Sequence, residues 1–152
     1  MLSRPIRSGK TTTLLKWAQA QPDIQGILTP DVNGIKKLYD ISQKKYYDFQ
    51  ITTGAAAEDI RIGKFCLSKI SFDRAKIILK EALSENPFWL VIDEIGPLEL
   101  NGQGFEPVSG EIIRGYALQR REKNLLLVIR SNLLDQVIQH YGIGEYRIFN
   151  PE

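Results

Sequence analysis

The sequence predicts an α/β fold whose central sheet is mostly parallel, with an antiparallel meander at one edge. Two uninterrupted apolar runs, residues 88–92 and 125–129, have the composition of strands buried on both faces. Segments of helical periodicity alternate with them along the chain. Ahead of the first run lie two β-rich stretches, residues 35–41 and 45–53, near enough in sequence to pair as neighbours.

Residues 1–3 are too few for a strand of ordinary length, so the first strand is expected to be short or missing. A first helix starting within residues 9–11 and running to residue 21 has Leu14, Leu15 and Ala18 on one face, and Pro22 stops it. Residues 24–29 predict a short strand that ends at Pro30, and Asn33-Gly34 is the turn that opens the meander. Residues 60–67 predict one further strand. Phe72, Ala75, Ile78, Leu79, Ala82 and Leu83 share a helical face, with Ser71 as the cap and Asn86-Pro87 as the stop. After the strand at 88–92, a glycine-rich loop over 96–110 leads to a helix beginning near Glu111, with Ile112, Ile113, Tyr116 and Ala117 as its buried stripe. Asn132 can cap the helix that follows residues 125–129; its apolar face is Leu133, Leu134, Val137, Ile138 and Tyr141, and Gly142 ends it. Residues 146–149 predict a last short strand.

The 152 residues, 43% of them hydrophobic, match one ordinary domain with a real core, and a single domain over 1–152 is expected. Twenty basic and eighteen acidic residues are interspersed, which is no nucleic-acid footprint. One cysteine, Cys66, excludes an internal disulfide, and with one histidine, His140, a Cys/His zinc site is not expected. Cys66 reads as a buried small hydrophobe and His140 as an exposed structural residue. The cysteine usage fits a reducing cytoplasm. The apolar runs are too short for a membrane span, and the N-terminus lacks the apolar core of a signal peptide.

Ser8-Gly9-Lys10-Thr11-Thr12 matches the second half of the phosphate-binding pattern G-x-x-x-x-G-K-[ST]. In that pattern backbone amides and a helix N-terminus gather around phosphates, Lys10 reaches the β- and γ-phosphates, and the Thr11 hydroxyl binds Mg²⁺. The flanking Arg7, Ser8, Gly9 and Thr12 are candidate phosphate contacts. Alone the triplet Gly9-Lys10-Thr11 is weak, because it is also ordinary helix-start composition. The run Phe88-Trp89-Leu90-Val91-Ile92 ending in Asp93-Glu94 strengthens it, since a phosphate-binding fold needs a metal-organising aspartate after such a strand. Alternation sets Asp93 and Glu94 on opposite sides. Asp93 is therefore the candidate for Mg²⁺, together with Thr11, and Glu94 is the candidate base for the attacking water. Arg130, after the second apolar run, is either a γ-phosphate sensor or a solvated rim residue. Arg61 and Lys64 are either ligand contacts or a solvated strand face. Arg4 occupies the position of the pattern's first glycine and, with Arg7, either adds positive charge near the phosphates or marks an altered turn.

These residues resemble the small P-loop nucleoside-triphosphatases first recognised in thermophiles, a family that includes the human cancer-related nucleoside-triphosphatase. The resemblance rests on Ser8-Gly9-Lys10-Thr11-Thr12, Ile27-Leu28-Thr29-Pro30-Asp31-Val32, Ile62-Gly63-Lys64-Phe65, and above all Val91-Ile92-Asp93-Glu94-Ile95-Gly96-Pro97-Leu98-Glu99-Leu100. It implies a three-layer, RecA-like fold in which the strand at 125–129 lies between the loop's strand and the Asp93 strand. It also implies Mg²⁺-dependent, slow hydrolysis of ATP or GTP, with Gly9, Lys10 and Thr11 on phosphate and metal, Asp93 on the metal and Glu94 as base. The sequence departs from the family at Arg4, at Arg7, in the short first strand, and in ending before a C-terminal helix. Two other readings share these motifs: a nucleotide-binding regulatory module without turnover, and a small nucleotide or nucleoside kinase.

Overall fold

The computed structural model describes residues 2–4, 10–118 and 122–151; within these, the side chains of residues 2–4, 10 and 11 are not described. Among the described residues, seven strands form one sheet. It is built from β1 (Leu2–Arg4), β2 (Ile24–Leu28), β3 (Asp31–Val32), β4 (Ile35–Asp40), β5 (Lys45–Asp48), β8 (Trp89–Ile95) and β9 (Asn124–Arg130). A separate hairpin pairs β6 (Ile60–Ile62) with β7 (Phe65–Leu67). The order across the main sheet is β1-β9-β8-β2-β4-β3, and β5 also pairs with β4. β1, β9, β8 and β2 run parallel, while the contacts of β4 with β2, β3 and β5 are antiparallel. β9 thus separates β1 from the Asp93 strand, as the resemblance implies.

Helices cover both faces of the sheet. The helices are α1 (Lys10–Gln19), α2 (Lys69–Glu85), the single turn α3 (Pro97–Leu100), α4 (Val108–Leu118) and α5 (Leu134–Tyr141). The pleat of β8 divides its side chains between two cores. Leu90 and Ile92 join Phe72, Ala75 and Leu79 of α2, Ile112 of α4 and Val137 of α5, whereas Val91 joins Leu14 and Ala18 of α1. Three layers result, and each fully buried aliphatic side chain contributes roughly 1.5–3 kcal/mol of transfer free energy to holding them. Gly26 of β2 is required by this packing: at φ +120° a Cβ would lie 2.1 Å from the carbonyl oxygen of Val91 on the neighbouring strand.

Several expectations are corrected. Residues 60–67 are a hairpin and not one strand, because Gly63 turns the chain at φ +54°. The strand expected over 45–53 is regular only as β5. Ser68, whose hydroxyl accepts from the Ser71 amide, caps α2; Ser71 is itself buried in the first turn. The loop over 96–110 contains α3, and α4 begins three residues before Glu111, with Ala117 exposed. Phe88 is exposed and precedes β8, which instead runs on through Asp93 and Glu94. Asn132 caps nothing: a turn of 3₁₀ helix, Ser131–Leu133, carries the chain into α5. Residues 146–149 are not a strand. Phe149 packs its ring against Trp17 and Trp89, at centroid distances of 4.9 and 5.5 Å, so aromatic contact and not strand pairing holds this segment.

Other expectations are met. Asn33 and Gly34 both have positive φ, 54° and 79°, as a two-residue hairpin turn requires. Gly142 ends α5 in the left-handed region, Cys66 is buried and His140 is exposed. Among the described residues no helix is long and apolar enough to cross a membrane.

Candidate functional site

β2, β8 and β9 are parallel, so their C-terminal ends form one rim. Each delivers a polar residue there: Thr29 directly after β2, Asp93 and Glu94 near the end of β8, and Arg130 at the end of β9. α1 starts at Lys10, so Lys10 and Thr11 occupy its first turn. Arg7, Ser8 and Gly9 lie outside the described residues, as do the side chains of Lys10 and Thr11. The backbone of Arg4 continues β1 opposite Arg130 of β9.

Asp93 is completely buried. Its Oδ2 accepts from the Thr29 amide at 2.9 Å and from the Thr29 hydroxyl at 3.2 Å. Two donors from one residue fix the carboxylate's orientation. In the sequence Thr29 is only one member of a motif; its partnership with Asp93 follows from the parallel pairing of β2 with β8, which sets Ile27 beside Ile92.

Glu94 has a different environment. Between Ile92 and Ile95, β8 advances three residues while its partner β9 advances two, from Leu127 to Ile129. The extra residue is a bulge, and Glu94 sits in it at φ +61°. Bulges re-aim side chains, and here the carboxylate meets Lys36 of β4, with Nζ 2.6 Å from Oε1. The expected separation of Asp93 from Glu94 is therefore realised through a bulge instead of simple alternation. Lys36 has no local sequence signal, since only the pairing of β4 with β2, in the sheet that also holds β8, brings it here.

A cavity of about 320 Å³ opens at this rim. Thr12, Thr29, Asp31, Lys36, Glu94 and Arg130 line it with polar groups, and the β6–β7 hairpin adds Lys64 and the apolar Ile62, Phe65 and Leu67. Arg61 is exposed on that hairpin. Glu99 lies in the cavity wall, 3% exposed. Its two carboxylate oxygens accept from the Gly96 amide at 2.9 Å and the Phe105 amide at 3.2 Å. Burial pushes the carboxyl up to about 7; the Gly96 and Phe105 amides oppose that rise, and nearby Glu106 adds to it. Gly104 makes the arrangement possible, because a Cβ there would lie 2.2 Å from Glu99 Oε1.

The oxygen donors suit Mg²⁺. Among the described residues no group of three or more His, Cys, Asp and Glu side chains forms a metal site. Mg²⁺ does not need such a cage, since it commonly takes one or two carboxylates and completes its shell with substrate phosphates and water. Asp93, a single carboxylate fixed by Thr29 near the C-terminal end of β8, fits that mode.

The crystal structure of THEP1 from the hyperthermophile Aquifex aeolicus is similar in fold, with a TM-score of 0.70 and 19% sequence identity over 92% of this chain and 81% of that one. No curated protein sequence matches. The sequence model of the NTPase family matches residues 1–149, and the chain belongs to that family.

Proposed function

We propose that this protein is a single-domain, Mg²⁺-dependent nucleoside-triphosphatase that hydrolyses ATP and GTP to the diphosphate and phosphate. The observation that carries the reading is one rim holding a buried Asp93 locked on Thr29, a Glu94 turned by a bulge into a cavity, and the N-terminus of α1. Family membership and the fold support it.

In this reading Arg7, Ser8, Gly9, Lys10 and Thr12 hold the phosphates, with the α1 dipole favouring their charge. Thr11 and Asp93 hold Mg²⁺, which when bound offsets the negative charge of the phosphates. Lys10 stabilises charge on the transferred phosphoryl group. Glu94 takes a proton from water as the water oxygen bonds to the γ-phosphorus; the bond from that phosphorus to the β–γ bridging oxygen breaks, and the electron pair leaves with the diphosphate.

Phosphate release from ATP and GTP, measured with Mg²⁺ and with excess EDTA, tests the proposal. Metal-dependent release from both is expected. Tight Mg²⁺-nucleotide binding without release would instead identify a binding module, and transfer to an added nucleoside in place of water would identify a kinase. Thr29→Val removes the hydroxyl donor to Asp93 and keeps the amide. It should lower activity about tenfold by raising the Mg²⁺ concentration needed for half-maximal rate, because outer-shell partners of a metal ligand act on affinity. An unchanged Mg²⁺ dependence would remove Thr29 from this role.

A further inference from the structure

We propose that Lys36 is the residue that distinguishes a nucleoside triphosphate from a diphosphate, by exchanging its ion pair with Glu94 for the terminal phosphate. This inference rests on the nucleoside-triphosphatase reading of the rim. Three observations carry it. The Lys36 side chain is only 12% exposed, and its ammonium engages Oε1 of Glu94, the carboxylate assigned above as the base. Its backbone is locked on both sides by one residue: the Lys36 amide donates to Gln50 Oε1 at 3.0 Å, and the Gln50 amide donates to the Lys36 carbonyl at 3.0 Å. Only the side chain is therefore left to move. Finally, Lys36 lines the same cavity as Thr12 at the α1 end and Arg130 at the β9 end.

An ammonium has three donors in all directions, and Glu94 uses one of them. A terminal phosphate in the cavity offers more negative charge than a single carboxylate, and charge-assisted bonds to it draw the ammonium across. The exchange frees Glu94 Oε1 to accept from water. A diphosphate lacks the group that competes, so the Lys36–Glu94 pair persists and the base stays engaged. Lys36 thus couples occupancy of the γ position to release of Glu94, with the bulge in β8 holding the carboxylate within reach of both.

The test is a set of equilibrium titrations with Mg²⁺, using GDP and the β,γ-imido analogue of GTP, on wild type, Lys36→Ala, Lys36→Met, Lys36→Arg, Glu94→Gln and the double variant Lys36→Met with Glu94→Gln. Lys36→Ala and Lys36→Met are each expected to weaken the analogue about tenfold, the scale of a charge-assisted hydrogen bond, while leaving GDP within about twofold. Lys36→Arg should restore most of the difference. Glu94→Gln should tighten the analogue, and only while Lys36 is present, an effect that a merely structural lysine would not produce. Intact GDP binding reports that each variant is folded, and Lys36→Met keeps the apolar stem should the alanine variant fail to fold. Equal weakening of both nucleotides, or of neither, would overturn the assignment. If the wild type hydrolyses triphosphates yet the lysine variants keep full discrimination, only the Lys36 role falls; if the wild type binds neither nucleotide, the enzymatic reading falls with it.

Discussion

Glu94→Gln should lower phosphate release from Mg²⁺-ATP and Mg²⁺-GTP by about 10²- to 10⁴-fold, the range that a positioned general base supplies. The expectation comes from the strand's local geometry. A non-glycine residue at φ +61° is uncommon and costs backbone strain, of order 1–3 kcal/mol. The surrounding ladder enforces it: Ile92 and Ile95 both enter the core beneath α2 and α4, although a regular pleat would put residues three apart on opposite faces. Packing two isoleucines on one face thus turns Glu94 outward into the cavity. Glutamine is isosteric and keeps an oxygen for Lys36 to donate to, so the fold and the cavity should persist while the capacity to take a proton is lost. Single-turnover phosphate release, with nucleotide binding measured alongside, checks this. Equal rates in the two proteins would remove Glu94 from the chemistry.

The parts of the site legible in the sequence were those written in local patterns. Residues 88–92 carry an apolar signal strong enough to identify a buried parallel strand, and the acids at its end stand out because they fall where open α/β sheets place their ligands. The same strength of pattern located β9 and the apolar face of α2. What stayed hidden depends on pairing between distant segments. Nothing around Thr29 announces that it will donate twice to Asp93, because that contact exists only once β2 lies beside β8. Lys36 is one of two adjacent lysines on a hairpin, and its neighbour Lys37 pairs instead with the exposed Asp48. Which of the two enters the cavity is decided by register, and a slip of one residue would exchange them. Ends of elements were misplaced for a more local reason: Ser68 and Ser71 are equally good caps by composition, and only the burial of Ser71 against the sheet settles the helix start at Lys69. The hairpin at residues 60–67 was hidden by a single glycine whose turn interrupts an otherwise continuous β-rich run.

Glu99 should make the protein lose stability as pH rises from about 4.5 toward 7. Its carboxyl has an ordinary value of 4.5 and is pushed up to about 7 in the folded chain, chiefly by burial. Between those values the folded protein holds a proton that the unfolded chain has released. The proton's contribution is then fully present below pH 4.5, is lost progressively as pH rises through 7, and is absent above it. A shift of this size corresponds to a loss of about 3 kcal/mol across the window, an order-of-magnitude figure. Glu99→Gln isolates it. Glutamine has one acceptor oxygen where the carboxyl has two, so either the Gly96 or the Phe105 amide loses its partner, at a cost of about 1–3 kcal/mol. The variant should therefore be less stable than wild type at pH 4.5, and the gap should close or reverse by pH 8, where the wild type must keep a buried charge. Urea unfolding of both proteins at a series of pH values measures the difference directly, and other titrating groups cancel between them. Parallel curves would mean that Glu99 does not titrate in this window. The amides it holds belong to the segment that follows Glu94, at Gly96, and closes against Phe105 in the cavity wall.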